Sequence, residues 1–416
     1  MTLDVASGLP GTENRADGKG ETLRTHLATV GALAAAAVLS LLHGTGEAHD
    51  VRVRRPLRLP DVPGYRTLQC DFHTHTVFSD GEVWPDVRSE EAWREGLDAV
   101  AITDHVEYRP HEADLPTNHE RSFQIAAPHG EKLGLIVIRG SEITRKMPPG
   151  HLNAIFLDRV APLDVPDWRE ALREARRQGA FVFWNHPGWT GHQPDGVARW
   201  YPEHTEIVEA GLVQGIEVVN ERDYYPEAHR WSLERNLAPL ANSDIHAPLN
   251  LEYHVHEGDH RPVTLVFAKE RTAESIREAL FARRTAAWSG NLLVGREELL
   301  RPLIAAAVSV ENPRISAQAG EAFFVRLRNV SDLRLELVGS GAAAMLKPPK
   351  KAVAAANGTS LLELKVPKGT APGALRVDLA YTIGNVRTAP DVGLPFTISV
   401  DVEVLTPGKP VRKTQP

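Results

Sequence analysis

Residues 70–81 read CDFHTHTVFSDG. The run Thr67–His73 predicts a strand. On extended chain His73 and His75, two apart, project from the same face, so together they form two arms of a metal site. Ser79-Asp80-Gly81 follows. Working outward, the same punctuation recurs at the ends of other short apolar runs. Ala99–Thr103 ends in Thr103-Asp104-His105, and Leu135–Arg139 runs into Gly140-Ser141-Glu142. Gly150-His151 precedes Leu152–Leu157, Ala180–Trp184 runs into Asn185-His186, and Ala238–Asn242 runs into Ser243-Asp244-Ile245-His246. Gly215–Asn220 and Val263–Ala268 complete the strand candidates.

Helical stretches at Glu90–Glu95, Asp167–Gln178, Tyr225–Asn236 and Thr272–Ala287 alternate with these runs. Alternation of this kind predicts a parallel α/β array, and the number of strands suits a barrel. In a β/α barrel the carboxyl ends of the strands converge on one mouth. Six histidines would then meet there with Asp80, Glu142 and Asp244, although far apart in sequence. Any one of these residues alone is ordinary; their placement at nearly every strand end points to a metal centre.

Composition narrows the chemistry. The chain has 416 residues, enough for two or three domains, with 42% hydrophobic and 24% charged residues, an ordinary globular balance. Forty-seven Lys and Arg against 54 Asp and Glu give a net charge of −7, which argues against a nucleic-acid backbone as a stable partner. A single cysteine excludes an intrachain disulfide and any cysteine-cluster zinc module, so a metal site must use His and carboxylates. Of 18 histidines, 15 fall between His73 and His260 and none follows, which places the chemistry mid-chain.

The ends read differently. Leu27–Leu42 is an uncharged apolar run, followed by Gly46-Glu47-Ala48, a small-x-small pattern. The run is short for a bilayer core of about 30 Å. Residues 1–48 are therefore expected to be a cleaved signal peptide, with export to the periplasm or medium of a bacterium and no permanent membrane anchor. Residues 49–67 read as an extended, Pro- and Arg-rich lead-in, 68–295 as the α/β part, and 409–416 as a tail. Residues 296–408 carry strand-like runs such as Phe323–Leu327, Leu333–Leu337, Leu361–Val366, Leu375–Tyr381 and Thr397–Val404 between Gly, Pro and Asn turns. They predict an all-β, sandwich-like domain free of helix and of catalytic residues.

The motif set resembles the polymerase and histidinol phosphatase (PHP) superfamily over roughly residues 68–290. The segments Cys70–Asp80, Glu107–His111, Gly150–Phe156, Phe181–Trp189 and Asn242–His246 are similar to those of secreted bacterial PHP-domain phosphodiesterases, which carry a β domain after the barrel. The best-known of these acts on alkyl phosphodiesters. The resemblance implies a distorted (β/α)7 barrel and a centre of two or three divalent ions, Zn, Mn or Fe. Carried over by position, one ion takes His73, His75, Glu142 and Asp244. A second takes Glu142, His151 and His186, and a third takes Asp80, His105 and His246. Glu142 would bridge the first two ions, and a hydroxide bridging the same pair would attack phosphorus. Glu142, Asp104 and His246 are the residues expected to act in catalysis, Asp104 by orienting His105 or serving a proton chain.

Three such ions exceed the charge of Glu142, Asp80 and Asp244, which calls for anionic substrate. A small phosphate ester, diester before monoester, is the expected partner. Arg109, Arg145 and Lys146 are candidate clamps for phosphate oxygens, and Trp189 a candidate wall of the leaving-group pocket. A phosphomonoesterase on the same site and a non-catalytic binding module are the alternatives. An amidohydrolase barrel is less suited, because no Lys stands at a strand end.

Overall fold

The computed structural model describes residues 53–115, 118–340 and 346–406. The signal peptide expected at 1–48 and the tail at 409–416 lie outside the described residues. Among the described residues no helix is long and apolar enough to cross a membrane.

The strands are β1 (Arg66–Asp71), β2 (Ala99–Ile102), β3 (Ile136–Ile143), β4 (Leu152–Ile155), β5 (Phe181–Trp184), β6 (Gly215–Asn220), β7 (Asp223–Tyr224), β8 (Ala238–Asn242) and β9 (Val263–Ala268). All eight runs expected from the sequence form strands. Helices Pro85–Arg94, Arg121–Leu133, Trp168–Arg177, Pro202–Glu209, Pro226–Glu234 and Ala273–Phe281 intervene. Proline opens three of them, where its missing N–H is not needed. Asp167 caps Trp168–Arg177 by accepting from the Arg169 amide, and Thr272 caps Ala273–Phe281 by accepting from Ser275.

The fold is mixed α/β around one large sheet rather than an all-parallel array. β1–β2, β2–β3, β5–β6 and β6–β8 pair in parallel. β4 runs antiparallel to both β3 and β5, and β9 antiparallel to β1. The reason is connection length: the eight residues between β3 and β4 hold no helix and bring the chain straight back. Beyond β1 and β8 the chain continues, and the two continuations meet through Asp244 N–H to His73 O (2.9 Å) and His75 N–H to Ile245 O (3.1 Å). The path β1-β2-β3-β4-β5-β6-β8 thus returns to β1 through backbone hydrogen bonds.

Two sequence expectations are corrected. The helix expected over Thr272–Ala287 stops at Phe281. Arg283 takes a left-handed backbone (φ 58°), and the chain resumes as β10 (Thr285–Ser289), whose residues 285–288 are buried against β9. Tertiary pairing overrides the helix propensity of its alanines.

After β11 (Leu292–Gly295) comes a helix, Glu297–Ala307, in the region read as purely β. Its buried face, Leu300, Leu303, Ile304 and Ala307, has the three-and-four spacing of a helix. That spacing is present in the sequence, and Pro302 within it masks the pattern.

The rest of this region is β-rich. β12 (Val308–Val310), β13 (Arg314–Gln318), β14 (Ala322–Asn329), β15 (Leu335–Gly339), β16 (Lys351–Ala354), β17 (Thr359–Lys365), β18 (Gly373–Ala389) and β19 (Val392–Leu405) follow. β12, β14 and β17 form a small antiparallel sheet, while β18 pairs in parallel with β11 and so extends the large one. Alternate residues of β14, β17, β18 and β19 are buried in one cluster with Leu97, Phe267, Trp288, Leu293 and Leu303. The β region therefore shares its core with the α/β part, and both belong to one compact unit.

A chain ending at Gly295 would expose Trp288 and Leu293, both fully buried in the intact protein. It is expected to lose the cooperative thermal transition of the full chain. Calorimetry of both forms checks this; an unchanged transition temperature in the short form would show that the shared core is dispensable.

Candidate metal centre

Backbone hydrogen bonds between adjacent strand ends set the site. Besides the β1–β8 seam, Thr103 N–H reaches Thr74 O (3.0 Å), Glu142 N–H reaches Asp104 O (3.1 Å), Val106 N–H reaches Glu142 O (2.8 Å) and Asn185 N–H reaches His151 O (3.0 Å). Neighbouring segments that carry candidate ligands are thus stitched together at these points. Two candidate ligands sit in left-handed backbone, His186 (φ 26°) and Asp244 (φ 52°), a conformation uncommon outside glycine and kept only where the surroundings enforce it. Gly81 lets the turn bearing Asp80 lie against the chain at 75–76, since a Cβ there would fall 2.6 Å from the His75 carbonyl carbon.

All nine expected ligands come together, in three overlapping clusters: His73, His75, Glu142 and Asp244; Glu142, His151 and His186; and His75, Asp80, His105 and His246. The last contains His75 in addition to the three residues expected. Glu142 is buried on β3 with Oε2 at 2.9 Å from His73 Nε2 and 3.3 Å from His75 Nε2, and Oε1 at 2.5 Å from His151 Nδ1. Asp244 Oδ1 lies 3.0 Å from Nε2 of both His73 and His75. Asp80 lies 3.4 Å from His105 and 3.3 Å from His246.

The donor set fits divalent ions. His75 Nε2, Asp80 Oδ1, Glu142 Oε1, His151 Nδ1 and His186 Nδ1 are buried without a hydrogen-bond partner. Several of these atoms stand close together without hydrogen-bond geometry, as lone pairs aimed at common points do. Imidazole and carboxylate are the ligands of Zn, Mn and Fe. The electrostatics differ from one imidazole to the next. Burial opposes charge on His73, but Asp244, Glu217 and Glu142 outweigh it and hold the ring well above its usual pKa. Burial likewise works against ionised Glu142 and Asp80, yet the surrounding imidazoles keep both carboxyls well below the usual range. His186 goes the other way, pushed down to about 3 by burial and by neighbouring His151. A neutral imidazole beside ionised carboxylates is the state in which such groups bind cations.

Other expected roles change. Asp104 does not orient His105. Its oxygens accept from Thr76 N–H (2.7 Å), Thr76 Oγ1 (2.8 Å) and Ser79 Oγ (2.8 Å), so it braces the turn that carries Asp80. His105 Nδ1 instead faces Thr144 Oγ1 at 2.6 Å. His246 has Nδ1 on the Asp244 carbonyl (2.6 Å) and Nε2 toward Asp80; burial works against charge on its ring, but Asp80 and Asp244 outweigh it and push its pKa up to about 9.

Arg145 is not a free clamp: it pairs with Glu107 and donates to Thr144 O (3.0 Å) and Val165 O (2.8 Å). Arg109 lines a small cavity beside Asp104 and His105 and turns toward His119 and Asp164. Lys146 is exposed on the loop after β3. Trp189 does line the centre, its ring centroid 5.6 Å from His151 and 5.4 Å from His186.

Several residues at the site escaped the sequence reading. Tyr108 stands edge-on to His105 and His192 edge-on to His151. Arg88, fully buried, donates to the carbonyls of His75 (3.1 Å) and His246 (2.9 Å). Glu217 faces His73 Nδ1 at 2.9 Å. A signal for Glu217 was present: a lone carboxylate in the apolar run GIEVVN, which a buried strand keeps only if it is paired.

Comparison with known proteins places the chain in a family. No family model matches the chain. A two-domain protein from Bacteroides vulgatus, containing a predicted PHP-like metal-dependent phosphoesterase, is 45% identical in sequence. The alignment covers 83% of this chain and 99% of that one, with a TM-score of 0.79. The chain belongs to the PHP superfamily. An uncharacterised protein of Methanocaldococcus jannaschii is 28% identical to this PHP protein over 200 residues, 44% of this chain and 84% of its own. A structure from Bifidobacterium adolescentis aligns at 18% identity over 42% of this chain and 87% of its own, with a TM-score of 0.33, too low to bear on the fold.

Glu142 belongs to two clusters and Asp80 to one. Glu142→Gln is expected to abolish metal in both of its clusters, and Asp80→Asn to weaken only the third. Metal content after equilibrium dialysis, read by mass spectrometry, checks this; equal losses in the two variants would contradict the sharing of Glu142.

Proposed function

We propose that this PHP protein hydrolyses phosphate esters with divalent ions held by the three clusters, Zn, Mn and Fe being the metals the donor set suits, and that diesters are its preferred substrates. The observation that carries the reading is the sharing of Glu142 between two donor sets, because a carboxylate is the side chain here able to bridge two ions. The Bacteroides vulgatus relative, a predicted metal-dependent phosphoesterase, supports the same class. Bound ions supply Lewis-acid charge that lowers the pKa of water and offsets charge on phosphoryl oxygens. We read the strand circuit as the distorted barrel that holds them.

The chain's own residues then explain the preference. Five carboxylates face or brace the centre: Asp80, Asp104, Glu142, Glu217 and Asp244. They offset most of the charge that three divalent ions bring, which leaves a singly charged diester better matched than a dianionic monoester. Arg145 is engaged by Glu107, so no arginine clamp from that position waits for extra phosphate charge. Tyr108 and Trp189, both exposed on their outer sides, flank the ligands His105 and His151 and offer apolar surface to an ester group.

Metal removal by chelation, restoration with Zn, Mn or Fe, and parallel assay of p-nitrophenyl phosphate and its methyl diester test the reading. Activity should vanish and return with metal, with kcat/KM for the diester the higher. A monoester advantage of about tenfold, about 1.4 kcal/mol of transition-state preference, would favour the monoesterase instead. Activity indifferent to chelation would remove the metal-dependent reading altogether.

The protein is also proposed to be exported, on the pattern at residues 27–48. Mass spectrometry of material recovered outside the cytoplasm should show a start near His49; full-length protein confined to the cytosol would contradict it.

A further inference from the structure

The sixth strand carries a carboxylate that belongs to none of the three clusters. Glu217 has no solvent exposure, and four groups face its two oxygens. Oε1 lies 2.9 Å from His73 Nδ1 and accepts from Asn242 Nδ2 at 3.0 Å. Oε2 accepts from the His186 backbone N–H at 2.6 Å and from Asn220 Nδ2 at 2.9 Å. No cationic Lys or Arg touches it among the described contacts, so these four partners alone hold the charge in place. A fold keeps such a group only where it is fully paired.

The two important partners are ligands of different clusters. His73 belongs with His75, Glu142 and Asp244, and His186 with Glu142 and His151. With Nδ1 facing an acceptor-only carboxylate, His73 carries its proton there. Nε2 is then the nitrogen left to give up its proton and turn a lone pair to a cation at the point it shares with Glu142 Oε2 (2.9 Å) and Asp244 Oδ1 (3.0 Å). His186 is held differently: the carboxylate grips its backbone, which has the unusual φ of 26°. Asn220, anchored on the same carboxylate, also reaches toward Asp244 Oδ2 at 3.4 Å.

We propose that Glu217 is the positioning residue of the metal centre, setting the tautomer of His73 and the backbone of His186, and so coupling two metal-binding clusters through one carboxylate. This rests on the metal-centre reading above. Ligand histidines that donate their second N–H to a carboxylate bind metal more tightly, and loss of such a partner typically weakens affinity by about 10–100-fold.

The test is Glu217→Gln in the full chain. The amide offers one acceptor oxygen to four donors, so either the His73 and Asn242 pair or the His186 and Asn220 pair must lose its acceptor. Zn(II) and Mn(II) affinities measured by chelator competition should fall by about 10–100-fold, with the metal-free variant still folded by circular dichroism. Wild-type protein that binds metal while the variant binds with affinity unchanged within twofold would overturn the proposal and leave the metal centre standing. Wild-type protein that binds neither ion would overturn the metal-centre reading itself, and the proposal with it. If the variant does not fold, the imidazole nitrogen spectrum of Zn-loaded wild type decides. A proton on His73 Nδ1 with the metal on Nε2 supports the proposal, and the reverse tautomer overturns it.

Discussion

One buried carboxylate stands among five imidazoles, and the rest of the site is arranged around that fact. Glu142 has almost no contact with solvent, yet its oxygens lie within 3.3 Å of His73 and His75 on one side and 2.5 Å from His151 on the other. A lone carboxylate in that position would be strongly disfavoured. The imidazoles offset part of its charge, and cations at the shared points would offset the rest. These groups have to be kept close in spite of the desolvation that burial imposes.

The means is backbone. Strand ends are usually where ladders stop, but here the extensions of β1, β2, β3 and β8 go on bonding to one another past the last regular pair. The ligand positions are therefore fixed by main-chain hydrogen bonds that ligand side chains need not make. Buried polar groups brace the seam from behind. Asp71 accepts from Ser243 Oγ (2.5 Å) and from the amides of Ser243 (3.2 Å) and His73 (3.3 Å), so it ties the β1 and β8 extensions together. Arg261 and Asp71 form a fully buried pair at 3.1 Å, with Glu95 on the same guanidinium. Removing one member of such a pair typically costs about 3–5 kcal/mol, because its partner stays buried and charged.

The C-terminal β region extends this framework rather than hanging from it. β18 adds to the large sheet beside β11, and the helix Glu297–Ala307 inserts its apolar face into the same core as Trp288 and Leu293. Among the described residues the three clusters draw none of their members from this region, whose buried side chains join the shared core.

Much of this was legible in the sequence because strand ends announce themselves. Eight of the nine strands β1–β9 are apolar runs closed by polar residues, and a His-x-His on extended chain can only point both rings one way. All nine candidate ligands could be named for that reason. What the sequence left open depends on which segments meet. The antiparallel course of β4, the switch from helix to β10 at Arg283, and the bonding of Asp104 to Thr76 and Ser79 instead of His105 are settled by partners distant in the chain. Glu217 shows the division best. Its place in an apolar strand marks it as a group that needs partners, but residue order does not say which. Only the folded chain brings His73, 144 positions away, to its carboxylate, because hydrogen bonds between strand ends are long-range contacts that local propensity does not encode.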